Sequence, residues 1–135
     1  MSGVVGLALI FAISAGRWQK PLAAASASDG AELFTTYCAS CHGAEGFGNG
    51  PAARALRHAP PNLTELARKN GGIFPMARVR RIIEGRDVES HGDRDMPIWG
   101  DAFKATRDGR SRENADTRIA AIAVYLESIQ RREAQ

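Results

Sequence analysis

The sequence predicts an all-helical protein in which short helices are separated by long loops. Three observations carry this. Apolar residues recur at helical spacing in several stretches, no run of useful length alternates as a strand face would, and glycine and proline cluster between the stretches. The 135 residues are enough for one domain, and no internal repeat divides them.

The first stretch is a leader. Gly3 to Gly16 is apolar and uncharged, too short for a membrane span of roughly 20 residues. Ala25-Ser26-Ala27 then offers the small-x-small pattern of a cleavage site, although no Lys or Arg precedes the apolar run, and Arg17 and Lys20 follow it. Residues 1–27 are therefore expected to be a signal peptide directing export to the periplasm. The alternative is an uncleaved anchor lying in a membrane interface. Residues 28–135 form the expected domain. With Arg17 and Lys20 in the leader, this domain carries 16 basic and 15 acidic side chains. That balance gives no support to nucleic-acid binding through bulk charge.

Asp29 with Glu32 has the spacing of a capping box, and Leu33, Phe34 and Tyr37 supply an apolar face, so a helix is expected from Asp29 to about Cys38. Gly43 to Pro61 reads as loop, with a helical turn at Ala52 to Arg57. A short helix is expected from Asn62. Val79, Ile82 and Ile83 predict a helix over Pro75 to Glu84, closed by Gly85. Arg86 to Phe103 is polar and broken by Gly and Pro, apart from Met96 and Trp99, and reads as loop. A last helix, capped by Asp116, carries the stripe Ile119, Ile122, Ala123, Leu126 and Ile129. Loops this long bury little apolar surface in a small domain. A large apolar cofactor would hold the middle together.

Cys38-Ala39-Ser40-Cys41-His42 supplies the reason for one. Two thiols three residues apart can add to the two vinyl groups on one edge of a haem, and the next residue sets an imidazole on the iron. Three other readings fit less well. A thioredoxin-like redox pair needs a preceding strand, and none is visible. A structural zinc site needs four ligands, and His58 and His91 are too widely spaced for the usual histidine pair. A plain disulfide across this spacing occurs mainly in redox enzymes. The motif points to one covalent haem c on Cys38 and Cys41, with His42 as an axial ligand.

With this motif the chain resembles the class I c-type cytochromes. The spacing Gly30-x3-Phe34-x3-Cys38-x2-Cys41-His42 is similar to their N-terminal helix and haem motif together, and Ile122 and Tyr125 resemble the apolar and aromatic pair of their last helix. The resemblance covers roughly residues 29–130 and implies the cytochrome c fold: short helices and loops around one haem, with the glycine letting the two terminal helices cross closely. Pro61-Asn62-Leu63 is similar to the family segment whose proline carbonyl accepts a hydrogen bond from the ligand histidine.

Four residues are candidates for the iron's other face: Met76, Met96, His58 and His91. Met96 sits in Arg94-Asp95-Met96-Pro97-Ile98-Trp99-Gly100, a stretch without helical periodicity, where a thioether has no core to fill. The stretch also resembles the family's methionine–proline ligand loop, with Pro97 fixing the chain direction and Trp99 covering the haem edge or bonding a propionate. Met76 opens an apolar helix and reads as core. His58 and His91 read as solvated loop residues, His91 being close enough to replace Met96 under stress. Arg78, Arg80, Arg81 and Arg86 read as a solvated face.

Histidine–methionine ligation favours one-electron shuttling, and no triad, paired carboxylates or phosphate loop is evident. The expected function is electron transfer, not enzymatic catalysis. The protein would be a periplasmic carrier or the haem subunit of a respiratory or dehydrogenase complex. Its partners would be a dehydrogenase or quinol-oxidising complex as donor, and an oxidase or another cytochrome as acceptor. The alternatives are a haem enzyme or gas sensor with an open sixth position, and an assembly protein held by its leader. The intact mass of the exported protein should equal residues 28–135 plus one haem. Retention of residues 1–27 would show an anchor instead.

Overall fold

The computed structural model describes residues 26–86, 96–105 and 111–131. Most of the leader and His91 lie outside the described residues. Those described form helices and loops, with no strand among them.

Helix α1 (Ala27–Tyr37) begins two residues before the expected start. Its cap is Ser26, not Asp29: the Ser26 hydroxyl accepts a hydrogen bond from the Asp29 backbone N–H at 3.1 Å. Asp29 lies in the first turn instead, where its charge complements the helix dipole. Ser26 belongs to the small-x-small pattern of the expected leader, so leader and helix overlap on the sequence. A short helix α2 (Ala39–His42) follows, with Cys38 at the joint.

The middle of the chain supplies a 3₁₀ turn at Ala53–Ala55, a second at Leu63–Glu65 capped by Asn62, and α3 (Leu66–Lys69). Helix α4 (Met76–Glu84) ends as expected at Gly85. That glycine adopts φ 88° and donates its N–H to the carbonyls of Arg81 and Ile82.

Two expectations are corrected here. Trp99–Lys104 is a helix, α5, where a loop was expected. Its six residues bury Phe103, and its Gly100 lies so close to α4 that a Cβ would overlap the Glu84 carbonyl. A segment this short and carrying a glycine shows no readable period. Helix α6 (Ser111–Ser128) starts before Asp116, which lies exposed within it. Ala115, 1% exposed, extends the buried stripe one turn back from Ile119, but alanine is too small to announce itself in a hydrophobic pattern.

Helix α6 packs against α1, α4 and α5, and its Ile119, Ile122, Ala123 and Leu126 are all buried. The α1–α6 crossing is close: a Cβ on Gly30 would overlap the Ala121 carbonyl and crowd Tyr125. Phe34 and Tyr125 meet across the crossing with ring centroids 5.3 Å apart. Beyond the helix, the Gln130 side chain accepts from the Ala67 N–H and donates to the Leu63 and Leu126 carbonyls, pinning the C-terminal end to the middle segment. No described helix is long and apolar enough to cross a membrane.

Gly30→Ala is expected to destabilise the folded protein by about 3 kcal/mol, the upper end of overpacking costs, because the obstruction is backbone. Glu32→Ala, on the exposed face of the same helix, should stay within about 0.5 kcal/mol of the wild type. Denaturant unfolding of both variants measures this, and equal stabilities would contradict the close crossing.

Candidate cofactor site

A four-residue helix is too short to sustain itself in water, so the position of α2 depends on its surroundings. The Cys41 and His42 N–H groups both bond the Cys38 carbonyl, at 3.2 and 2.9 Å, which winds the two cysteines and the histidine onto one turn. The carbonyls at its C-terminal end, which have no partner within a helix, are taken by the returning loop. Ala52 N–H bonds Ser40, Gly50 N–H bonds Cys41 at 3.1 Å, and Gly48 N–H bonds His42 at 2.7 Å. The return is tight. A Cβ on Gly50 would overlap the Ala39 and Ser40 carbonyls.

Both cysteines are free thiols, Cys38 buried and Cys41 half-buried. Burial, reinforced by the neighbouring Cys41, pushes the Cys38 thiol up to about 12. A catalytic redox pair requires the opposite shift, a lowered pKa that populates thiolate. A bare-metal site is equally unsupported: among the described residues no group of three or more His, Cys, Asp or Glu converges.

What Cys38, Cys41 and His42 do share is a large apolar cavity of about 1180 Å³, its mouth included. Phe34, Ile122 and Leu126 line it from the α1–α6 crossing, and Val79, Ile82 and Ile83 from α4. Leu56, Leu63 and Leu66 line it from the middle segment. Pro61, Met96 and Trp99 line the same cavity, so all six residues singled out in the sequence come together there. His42 Nδ1 is sealed from solvent.

The two described methionines part company. Met96 and Met76 are both half-buried and pack on the buried core; Met96 also lines the cavity, and Met76 is not among its lining residues. Trp99 belongs to an aromatic cluster at the wall. It stacks on Phe103 at 5.5 Å and meets the Tyr37 ring edge-on at 5.4 Å, while the Arg118 guanidinium lies 5.6 Å over Phe103. Arg78, Arg80, Arg81 and Arg86 are exposed as expected, Arg86 pairing with Glu84 at 2.6 Å, and no described arginine lines the cavity.

His58 departs from its reading. It is exposed, as a solvated loop residue should be, but it stands at the cavity. Tyr37 and Leu56 also line the wall without having been singled out for it. Adjacency to Cys38 was a signal for Tyr37. Leu56 and His58 lie in a loop whose path no periodicity reveals.

These residues fit a planar, mostly apolar group attached through thioethers to Cys38 and Cys41. The imidazole of His42 and the sulfur of Met96 can ligate a metal at its centre. A family model described as Cytochrome c matches residues 27–130. No curated protein and no solved structure matches the chain.

The return loop provides a test of how α2 is held. Gly50→Ala is expected to destabilise the protein by about 1–3 kcal/mol, as overpacking against fixed backbone does. Equilibrium unfolding measures it, and an unchanged midpoint would contradict the tight approach of the loop to Ser40.

Proposed function

The chain belongs to the cytochrome c family, and from that premise we propose that it is a one-electron carrier with histidine–methionine ligation. Its cofactor is a covalently bound c-type haem, and its partners are redox proteins. The haem supplies an iron that accepts or gives up one electron.

In this reading Cys38 and Cys41 would hold the haem through thioethers, each thiol S–H adding across a vinyl double bond with no oxidant required. His42 would hold the iron through its imidazole, and the Pro61 carbonyl would accept a hydrogen bond from the other ring N–H, fixing the tautomer. Met96 would hold the iron through its thioether sulfur. Trp99 covers the edge of the group or donates its indole N–H to a propionate. The apolar walls exclude water, which favours the less charged reduced state.

The observation that carries this reading is that Met96 lines one apolar cavity with Cys38, Cys41 and His42, and Met76 is not among its lining residues. With His42 and Met96 both on the iron, no position would be left there for a substrate. We place the protein in the periplasm after removal of its leader. There it would serve as a soluble carrier or as the haem subunit of a respiratory or dehydrogenase complex, between a dehydrogenase or quinol-oxidising complex and an oxidase or second cytochrome.

Replacing Cys41 with alanine should leave at most one thioether and sharply lower the yield of haem-loaded protein. Haem resisting acid–acetone extraction at normal yield would count against the attachment. Ferric wild type should show the weak methionine-to-iron band near the red edge of the visible spectrum. Met96→Ala should lose that band, keep covalent haem, bind imidazole more readily and have a lower potential. Met76→Ala should keep the band and cost about 1–2 kcal/mol, less than the ~2–5 of a buried methionine. A wild type that lacks the band and binds ligands freely would instead support a haem enzyme or gas sensor.

A further inference from the structure

Acids and bases are not mixed evenly along the chain. Residues 65–86 hold 6 basic and 2 acidic side chains, while the rest of residues 28–135 holds 10 basic and 13 acidic. The two acids, Glu65 and Glu84, stand near the ends of the stretch. Residues 66–83 carry Arg68, Lys69, Arg78, Arg80 and Arg81 with no acid among them. All five cations are exposed. Glu65 is shared by Arg68 at 2.9 Å and Lys69 at 3.4 Å, so one carboxylate stands against two cations. The stretch is a positive surface on a domain that is otherwise negative.

Between the two groups of cations lies an uncharged, apolar turn, Gly71 to Ala77. Its shape is fixed by hydrogen bonds. The Gly72 N–H donates to the Ala67 carbonyl at 2.8 Å, and the Asn70 side-chain amide donates to the Ile73 carbonyl at 2.8 Å. Gly71 and Gly72 take φ of 68° and 86°, which glycine adopts without strain. The next two residues part company: Phe74 packs against the buried core, and Ile73 is left 72% exposed. On α4, Arg78 and Arg81 are one turn apart on the outer side, away from the buried Val79 and Ile83.

We propose that this basic stretch, with Ile73 at its tip, docks the protein on an anionic membrane surface. Lys and Arg side chains are drawn to anionic headgroups, and an apolar side chain set among them reaches the acyl boundary just beneath. An acidic protein surface would match the cations but would set carboxylates and their water against Ile73. A lipid interface supplies both halves. One apolar side chain and a few charges give reversible binding, which suits a protein that must leave one partner for another. The contact requires neither a spanning helix nor the leader.

Docking in this way does not use the cavity's open side. None of the five cations lines the cavity, and its exposed lining residues, Tyr37, His58, Ala59, Pro61 and Pro97, all lie outside residues 66–83. A redox partner can meet those residues while the basic stretch rests on lipid.

Cosedimentation of the haem-loaded protein with lipid vesicles tests this. Wild type should bind vesicles containing phosphatidylglycerol and not vesicles of phosphatidylcholine alone. The binding should be lost in about 1 M salt, where the screening length is ~3 Å. Arg78→Gln combined with Arg81→Gln should weaken it about 25-fold, and Ile73→Ser about tenfold. Arg54→Gln combined with Arg57→Gln removes two exposed arginines of another segment and should bind as wild type does. The visible spectrum and intact mass of each variant show that it is folded and loaded. Absence of wild-type binding to the anionic vesicles overturns the proposal, as does equal weakening by the Arg54/Arg57 pair or full binding by Ile73→Ser. Binding to polyglutamate with none to vesicles also overturns it and assigns the stretch to an acidic protein.

Discussion

The structure depends on a convergence of apolar side chains onto a cavity as well as onto each other. The buried core is made by α1, α4, α5 and α6, with Phe34, Ile83, Phe103 and Ile122 at its centre. The middle of the chain adds little to it. Between His42 and Phe74 the one described side chain buried as polar or hydrophobic core is Thr64, and Leu56, Leu63 and Leu66 turn to the cavity. A domain of this size needs most of its apolar surface removed from water. For these leucines a haem held in the cavity would complete that removal, as the inner half of the core.

Covalent attachment suits this arrangement. The cysteines and His42 sit on a turn that cannot hold itself, and the loop carrying the cavity's far wall is also the loop that caps that turn, through Gly48, Gly50 and Ala52. Gly46 continues the link by accepting the Leu63 N–H at 2.7 Å. The attachment site and the opposite wall are thus one hydrogen-bonded unit, closed at the other end by Gln130. A group bonded to Cys38 and Cys41 would be clamped by backbone that its own presence helps to order.

What was legible in the sequence follows from how each feature is encoded. The cysteine and histidine spacing is dictated by the chemistry of attachment and survives any fold. Helices α1 and α4 carry apolar residues at helical spacing beside clear end signals, and α6 a stripe of more than two turns, so their existence could be read. Helix α5 has Trp99 and Phe103 one turn apart and Gly100 between them, which is too little signal. Ser26 was obscured because a capping serine and a cleavage pattern use the same small residues. The early turn of α6 was hidden because Ala115 buries itself without marking a stripe. His58 was among the four candidates for the iron's other face and was also read as a solvated loop residue; its exposure was readable from its polar loop, but its place at the cavity is set by long-range folding of a segment with no period.

Far-UV circular dichroism with thermal unfolding, on the same chain made with and without haem attachment, tests the central claim most directly. If the haem is the inner half of the core, the haem-free chain should lose most of its helical signal and unfold without a cooperative transition, while the loaded protein keeps both. A haem-free chain with the helical content and cooperative unfolding of the loaded protein would contradict it, because the core would then be complete in the polypeptide alone.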